Sequence, residues 1–173
     1  DEMGWNARKI GVIQSKLMAE LGYDRYVAHG TDWGSFITSF LAMADEEHCT
    51  AIHVTSPWAA PTVLETMFAP FQRAARAAVT ESIALFKEEL GYRQVQASKP
   101  QSLGFALNDS PVGLCAWLVE KYRAWTDCDG DVLSRFSRDE LLDIVMIYWV
   151  TGTITSSMRI YWEAVHGEGG GMV

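Results

Sequence analysis

Asp32 stands in Gly30-Thr31-Asp32-Trp33-Gly34-Ser35, between a short run with strand character and a run with helix character. A sharp strand-to-helix turn, with glycines two places to either side of its central residue, exposes that residue's side chain at the end of a sheet. Here the exposed group is a carboxylate. A hydroxyl that attacked an sp3 carbon would leave an ether, which water does not readily cleave. A carboxylate leaves an ester, which water hydrolyses at the carbonyl carbon. The pattern points to an electrophilic sp3 carbon, as in an epoxide or an alkyl halide. A helix starting behind the turn aims its N-terminal N–H groups and its dipole at the carboxylate and keeps it ionised. The Trp33 N–H is placed to hold an oxyanion during ester hydrolysis. A plain helix cap in a glycine-rich turn fits the same residues, because aspartate is a favoured N-cap. The large aromatic directly after it argues for a pocket wall instead.

The elements around the turn follow from hydrophobic period. Ile10, Ile13, Leu17 and Leu21 recur at spacings of three and four, which predicts a helix over Trp5–Leu21 that stops at Gly22. Tyr26–His29 reads as a strand, Phe36–Met43 as a helix, and the β-branched run Thr50–Thr55 as a second strand. Two strands separated by one helix form a βαβ unit with a parallel pair and a right-handed crossover. Beyond Pro57 the pattern is helical. Pro57, Pro61 and Pro70 mark a loop-rich connection, and a long helix is expected over Arg73–Leu90. Ser110-Pro111 opens a helix through Tyr122. Ser137-Arg138-Asp139-Glu140 is a capping box that opens Leu141–Val150, with Phe136 and Leu141 placed as its hydrophobic staple. A last helix runs from Thr153 to Val165, followed by the glycine-rich stretch Gly167–Gly171. A parallel sheet is normally covered on both faces and has more than two strands, so this α/β chain reads as part of a larger fold.

The chain has 173 residues, 49% hydrophobic, with a formal net charge of −8. An acidic balance argues against nucleic acid as a partner. Cys49, Cys115 and Cys128 lack metal-site spacing and read as free thiols of a reducing compartment, which places the expected location in the cytoplasm. No apolar run reaches the ~18 residues of a membrane helix. No signal peptide is visible in the opening residues. No metal site and no cofactor are expected.

Several motifs in order carry a family resemblance. Leu21-Gly22-Tyr23-Asp24-Arg25-Tyr26, leading into Gly30-Thr31-Asp32-Trp33-Gly34-Ser35, resembles the nucleophile elbow of the microsomal type of epoxide hydrolase, an α/β-hydrolase. The similarity continues in Gly91-Tyr92, Ser98-Lys99-Pro100-Gln101, Leu107-Asn108-Asp109-Ser110-Pro111-Val112-Gly113-Leu114 and Tyr148-Trp149-Val150-Thr151-Gly152-Thr153-Ile154. It covers most of residues 7 to 165. The resemblance implies a βαβ fragment of an α/β-hydrolase fold in residues 1–60, a mainly helical cap in 61–165, and a glycine-rich tail, 166–173, leading to a further core segment. It also implies Asp32 as nucleophile, Trp33 as an oxyanion-hole donor, and Tyr92 and Tyr161 as proton donors to the epoxide oxygen. The substrate would be a small apolar epoxide, with Trp33 and Trp58 as candidate contacts. Trp58, Trp117, Phe68 and Phe105 suit either a pocket lining or an ordinary core.

The resemblance places the remaining parts of the machinery outside these residues. A histidine with its orienting acid is expected after later strands, and a His-Gly-x-Pro segment ahead of this stretch. The local histidines are not assigned as the general base. His29 and His53 read as buried strand packing, His48 as a surface loop residue, and His166 precedes the glycines. On its own, the chain is expected to form the ester at most. Two other readings remain open at this point. A haloalkane or haloacid dehalogenase of the same fold would use Asp32 and bind halide at the Trp33 indole without needing the tyrosines. A non-catalytic binding or assembly module would use exposed sheet edges to form homo-oligomers.

Overall fold

The computed structural model describes residues 2–55 and 89–167. The expected helix Arg73–Leu90, apart from its last two residues, lies outside them. So do Pro57, Trp58, Pro61, Phe68, Pro70 and the glycines after Gly167. The chain divides into two compact units, residues 1–92 with 166–173, and Arg93–Val165.

In the first unit the order is α1 (Ala7–Glu20), β1 (Tyr26–Gly30), α2 (Trp33–Ala44) and β2 (Cys49–Val54). Asn6 caps α1, its side chain accepting from the Lys9 N–H at 3.0 Å. The chain leaves α1 through Gly22 at φ +77°, a conformation that favours glycine. β1 and β2 pair in parallel, with Val27 beside Ala51, His29 beside His53 and Gly30 beside Val54. This is the βαβ unit that the hydrophobic pattern implies. Along α2, Ser35, Thr38 and Leu41 recur every third residue and form its buried face.

α1 lies against α2 at Gly11. A methyl group there would sit 2.7 Å from the Ile37 carbonyl oxygen and 2.8 Å from the Leu41 amide nitrogen. Those are backbone atoms of a helix, which cannot step aside as a side chain would. Gly11→Ala should therefore destabilise this unit, by about 1–3 kcal/mol, although alanine is the better helix former by about 1 kcal/mol. Urea unfolding of the variant against the wild type checks the sign.

In the second unit, α3 (Gly91–Ser98, which begins two residues ahead of it), α4 (Pro100–Asp109), α5 (Pro111–Trp125), a 3-10 turn (Val132–Ser134), α6 (Arg138–Thr151) and α7 (Ile154–His166) follow in order. Its core is Leu107, Leu114, Val145, Ile154 and Met158, with Leu103, Trp117, Leu118, Tyr148 and Trp149 packed around it. α4 approaches α7 closely, because Gly104 offers Thr155 no side chain to meet. Asn108 Nδ2 adds a 2.6 Å hydrogen bond to Thr155 Oγ1 at the same crossing. Ser110 caps α5 by accepting from the Gly113 N–H at 3.0 Å. The capping box of α6 forms as its sequence predicts. The Glu140 N–H donates to Ser137 Oγ at 3.2 Å, and the Ser137 N–H donates to Glu140 Oε2 at 2.8 Å. That backbone donor holds the Glu140 carboxyl below its usual range. α6 stops at Gly152, which takes a left-handed conformation at φ +62°. Among the described residues, no single helix is long and apolar enough to cross a membrane.

Candidate active site

The turn between β1 and α2 is a tight reversal. Asp32 has φ 46° and ψ −121°, close to the first central position of a type II′ turn, where glycine is the usual residue. The Gly34 N–H donates to the Thr31 carbonyl at 2.7 Å and closes the turn. The Ser35 N–H donates to the Asp32 carbonyl at 3.0 Å. Among the described residues, only Asp32 and Asp129 combine a side chain with positive φ. Such a conformation costs on the order of 1–3 kcal/mol and persists only where the surroundings impose it. Asp32 is exposed, and its carboxylate makes no capping hydrogen bond to the helix. An ordinary N-cap aspartate turns its side chain onto the N–H groups of the first turn. Asp32 instead leaves its oxygens outside the helix that starts at Trp33. The plain-cap reading of Asp32 therefore falls.

Gly30 and Gly34 do different jobs. A methyl group at Gly30 would collide with the Gly34 carbonyl and lie 2.5 Å from Thr38 Oγ1. At Gly34 a methyl group would meet no described atom within 4 Å. Trp33, half-buried, is the first residue of α2, so its N–H points out of the helix start. Its indole meets the Phe36 ring with centroids 5.7 Å apart.

Tyr92 is the second residue of α3, and Tyr161 lies in the second half of α7. Both rings are half-buried. Asp32 and Trp33 are thus joined in one turn, and the tyrosines belong to the helical stretch that follows. Trp117 is packed against the helical core, and Phe105 is largely exposed. Among the described residues, no group of three or more His, Cys, Asp or Glu could hold a metal ion.

His29 and His53 are not buried, contrary to their reading as strand packing. Both are exposed, because they lie with Val27 on the sheet face away from α2. Their ring planes are within 15° of parallel, with centroids 4.7 Å apart and Nδ1 atoms 2.8 Å apart. His29 Nδ1 also lies 3.1 Å from the His53 carbonyl oxygen, which only accepts. His29 Nδ1 therefore carries the proton and His53 Nδ1 receives it, an assignment made from the hydrogen-bond network.

At the opposite end of the strands, Asp45 joins three elements. The Tyr26 hydroxyl donates to Asp45 Oδ2 at 2.5 Å, and His48 Nδ1 lies 2.5 Å from Asp45 Oδ1. The Tyr26 and His48 contacts hold the Asp45 carboxyl below its usual range. The Asp45 hydrogen bond, helped by the charges of Glu47 and Asp24, raises His48. Burial, with Asp45 adding to it, pushes the Tyr26 phenol up. The signs are opposite in pH. The Asp45 contribution is present above the unfolded carboxylate pKa of about 3.9 and is lost as pH falls through its lower folded value. The His48 contribution is complete below about 6.5 and is lost as pH rises through its higher folded value. Thermal unfolding followed against pH should show this cluster contributing most between about pH 4 and 6.5. Asp45→Asn should flatten both flanks, whereas His48→Gln should flatten the high-pH flank most.

Two features escaped sequence reasoning. Ser35 donates to the Gly30 carbonyl at 3.1 Å across the turn, and the Tyr26–Asp45–His48 cluster is set by spacing across a strand, a helix end and the turn before β2. For Ser35, the signal was a small hydroxyl residue three places after the nucleophile.

Known proteins share this arrangement. No family model matches the chain. It is 37% identical over 184 residues to epoxide hydrolase 1 of Sus scrofa, covering 96% of this chain and 40% of that one. It is 37% identical over 180 residues to the juvenile hormone epoxide hydrolase of Bombyx mori, covering 93% and 39%. The crystal structure of the silkworm juvenile hormone epoxide hydrolase superposes with a TM-score of 0.88 at 33% identity, over 96% of this chain and 43% of that chain. The chain thus spans about two fifths of the length of these relatives. Along nearly the whole of this chain, with a carboxylate at the reversal between β1 and α2, it is thus similar to one part of these epoxide hydrolases and forms a fragment of an α/β-hydrolase fold.

Proposed function

We propose that these residues belong to a complete enzyme that opens epoxides to vicinal diols in two steps, with Asp32 as the nucleophile and the water-activating histidine with its acid supplied from outside this stretch. An Asp32 carboxylate oxygen attacks an epoxide carbon. A C–O ester bond forms, and the ring C–O bond breaks with its electron pair going to the ring oxygen. Tyr92 and Tyr161 hydrogen-bond that oxygen, and one phenol gives it a proton, which spares the reaction a free alkoxide. Water then adds to the ester carbonyl. The oxyanion is held by the Trp33 N–H until the bond from the acyl carbon to the alkyl oxygen breaks; the alkoxide takes one proton of the water and leaves as the diol, the other proton restores the phenol, and the Asp32 carboxylate is regenerated. Epoxide plus water becomes diol, and Asp32 returns to its starting state.

The observation that carries this reading is the conformation of Asp32, held at positive φ with no capping hydrogen bond from its carboxylate to the helix it precedes. A structural cap has no use for that geometry, and a nucleophile does. The roles of Tyr92 and Tyr161 rest on the family resemblance of their surrounding motifs. Incubation with styrene oxide, acid quench and mass spectrometry of the peptides tests the proposal. The adduct should sit on Asp32 and be released by mild base as the diol. Labelling at another residue would refute it.

A further inference from the structure

The strained turn has a brace. The side chain of Asp32 contributes no hydrogen bond to the helix start, so the backbone around it must hold the carboxylate in place. Three of the bonds found there are backbone bonds. The Gly34 N–H meets the Thr31 carbonyl at 2.7 Å, the Ser35 N–H meets the Asp32 carbonyl at 3.0 Å, and the Thr55 N–H meets the Gly30 carbonyl at 3.2 Å. The fourth is a side-chain bond. Ser35 Oγ donates to the same Gly30 carbonyl at 3.1 Å, from a residue only 4% exposed. It joins the last residue of β1 directly to the first turn of α2 and spans Asp32 from both sides.

We propose that Ser35 is a positioning residue for the nucleophile: its hydroxyl, by bracing the Gly30 carbonyl against α2, keeps Asp32 in its strained attacking conformation. Deeper burial alone would not require a hydroxyl here. The Gly30 carbonyl already has one donor in the Thr55 N–H, so removing Oγ does not orphan the acceptor. It removes the Ser35 link between strand and helix. The backbone at Asp32 is then free to relax from its costly dihedrals toward ordinary ones. Small displacements of a reacting group are expensive, and about 1 Å can cost on the order of 100-fold in rate.

This inference rests on the proposed ester chemistry, and the experiment separates the two. Single-turnover formation of the Asp32 ester from styrene oxide is measured for the wild type, Ser35→Ala, Ser35→Cys, Ser35→Thr and Ser39→Ala. Cysteine keeps the size but is a poor donor, and threonine keeps the hydroxyl. Ser39 is one turn further on, where its hydroxyl donates to the Ser35 carbonyl at 2.8 Å, and it serves as the stability control. The expected result is a roughly 10- to 100-fold slower ester formation in Ser35→Ala and Ser35→Cys, with the half-saturating epoxide concentration unchanged. Ser35→Thr should recover most of the rate, and Ser39→Ala should react like the wild type. Wild-type ester formation in Ser35→Cys, or an equal fall in Ser39→Ala, overturns the positioning role. A wild-type protein that forms no ester overturns the reaction beneath it, which is a different outcome in the same assay.

Discussion

Asp32→Asn should lower covalent capture of an epoxide by on the order of 10⁴-fold or more and leave the fold as it is. The effect is large because the substitution removes the attacking atom itself. An amide oxygen is a poor nucleophile, and no other group in the turn can take its place. The fold should survive because asparagine tolerates the same unusual backbone. Aspartate, asparagine and glycine are the residues that occupy this position of a type II′ turn at least cost. Unfolding should therefore coincide for the two proteins while labelling differs. If Asp32→Asn were labelled at the wild-type rate, the nucleophile would have to be sought elsewhere. If it unfolded instead, Asp32→Gly would repeat the test without strain, since glycine is at home at φ 46°.

Tyr92→Phe and Tyr161→Phe should each slow epoxide opening, and the two together should slow it by about 100- to 10,000-fold, the usual range for a lost general acid. The double variant should fall to the background of unassisted ring opening, because a single remaining phenol can still supply the proton in either single variant. The same substitutions distinguish the two chemistries open to an aspartate nucleophile. Halide leaves as a stable anion and needs no proton, so displacement of chloride or bromide from an alkyl halide should be unaffected. Epoxide opening that persists in the double variant would remove the tyrosines from the mechanism. Both rings are half-buried, so loss of the hydroxyl alone costs little packing, and unfolding should report a properly folded control.

Much of this was legible from residue order. The elbow, the parallel pair and the caps at Ser110 and Ser137 depend on neighbours within a few positions, and the structure forms them. What the sequence hid was contact across distance. Within the expected helical cap the run 91–109 was given no helix bounds of its own, because α3 and α4 are short; Gly104 against Thr155 and Leu107 in the core hold α4 in place. His29 and His53 were read as buried from strand alternation alone. Alternation says that two faces differ, not which of them α2 covers. The brace from Ser35 was invisible for a similar reason. It depends on the strand end folding back within reach of the helix, which no pattern of hydrophobic residues encodes.

The two glycines of the elbow also differ in what heredity can do to them. Every missense change of a glycine codon brings in a side-chain carbon. At position 30 that carbon has nowhere to go, so the codon has no tolerated neighbours. At position 34 it meets open space among the described residues, so an alanine allele there would drift through a population unnoticed by folding.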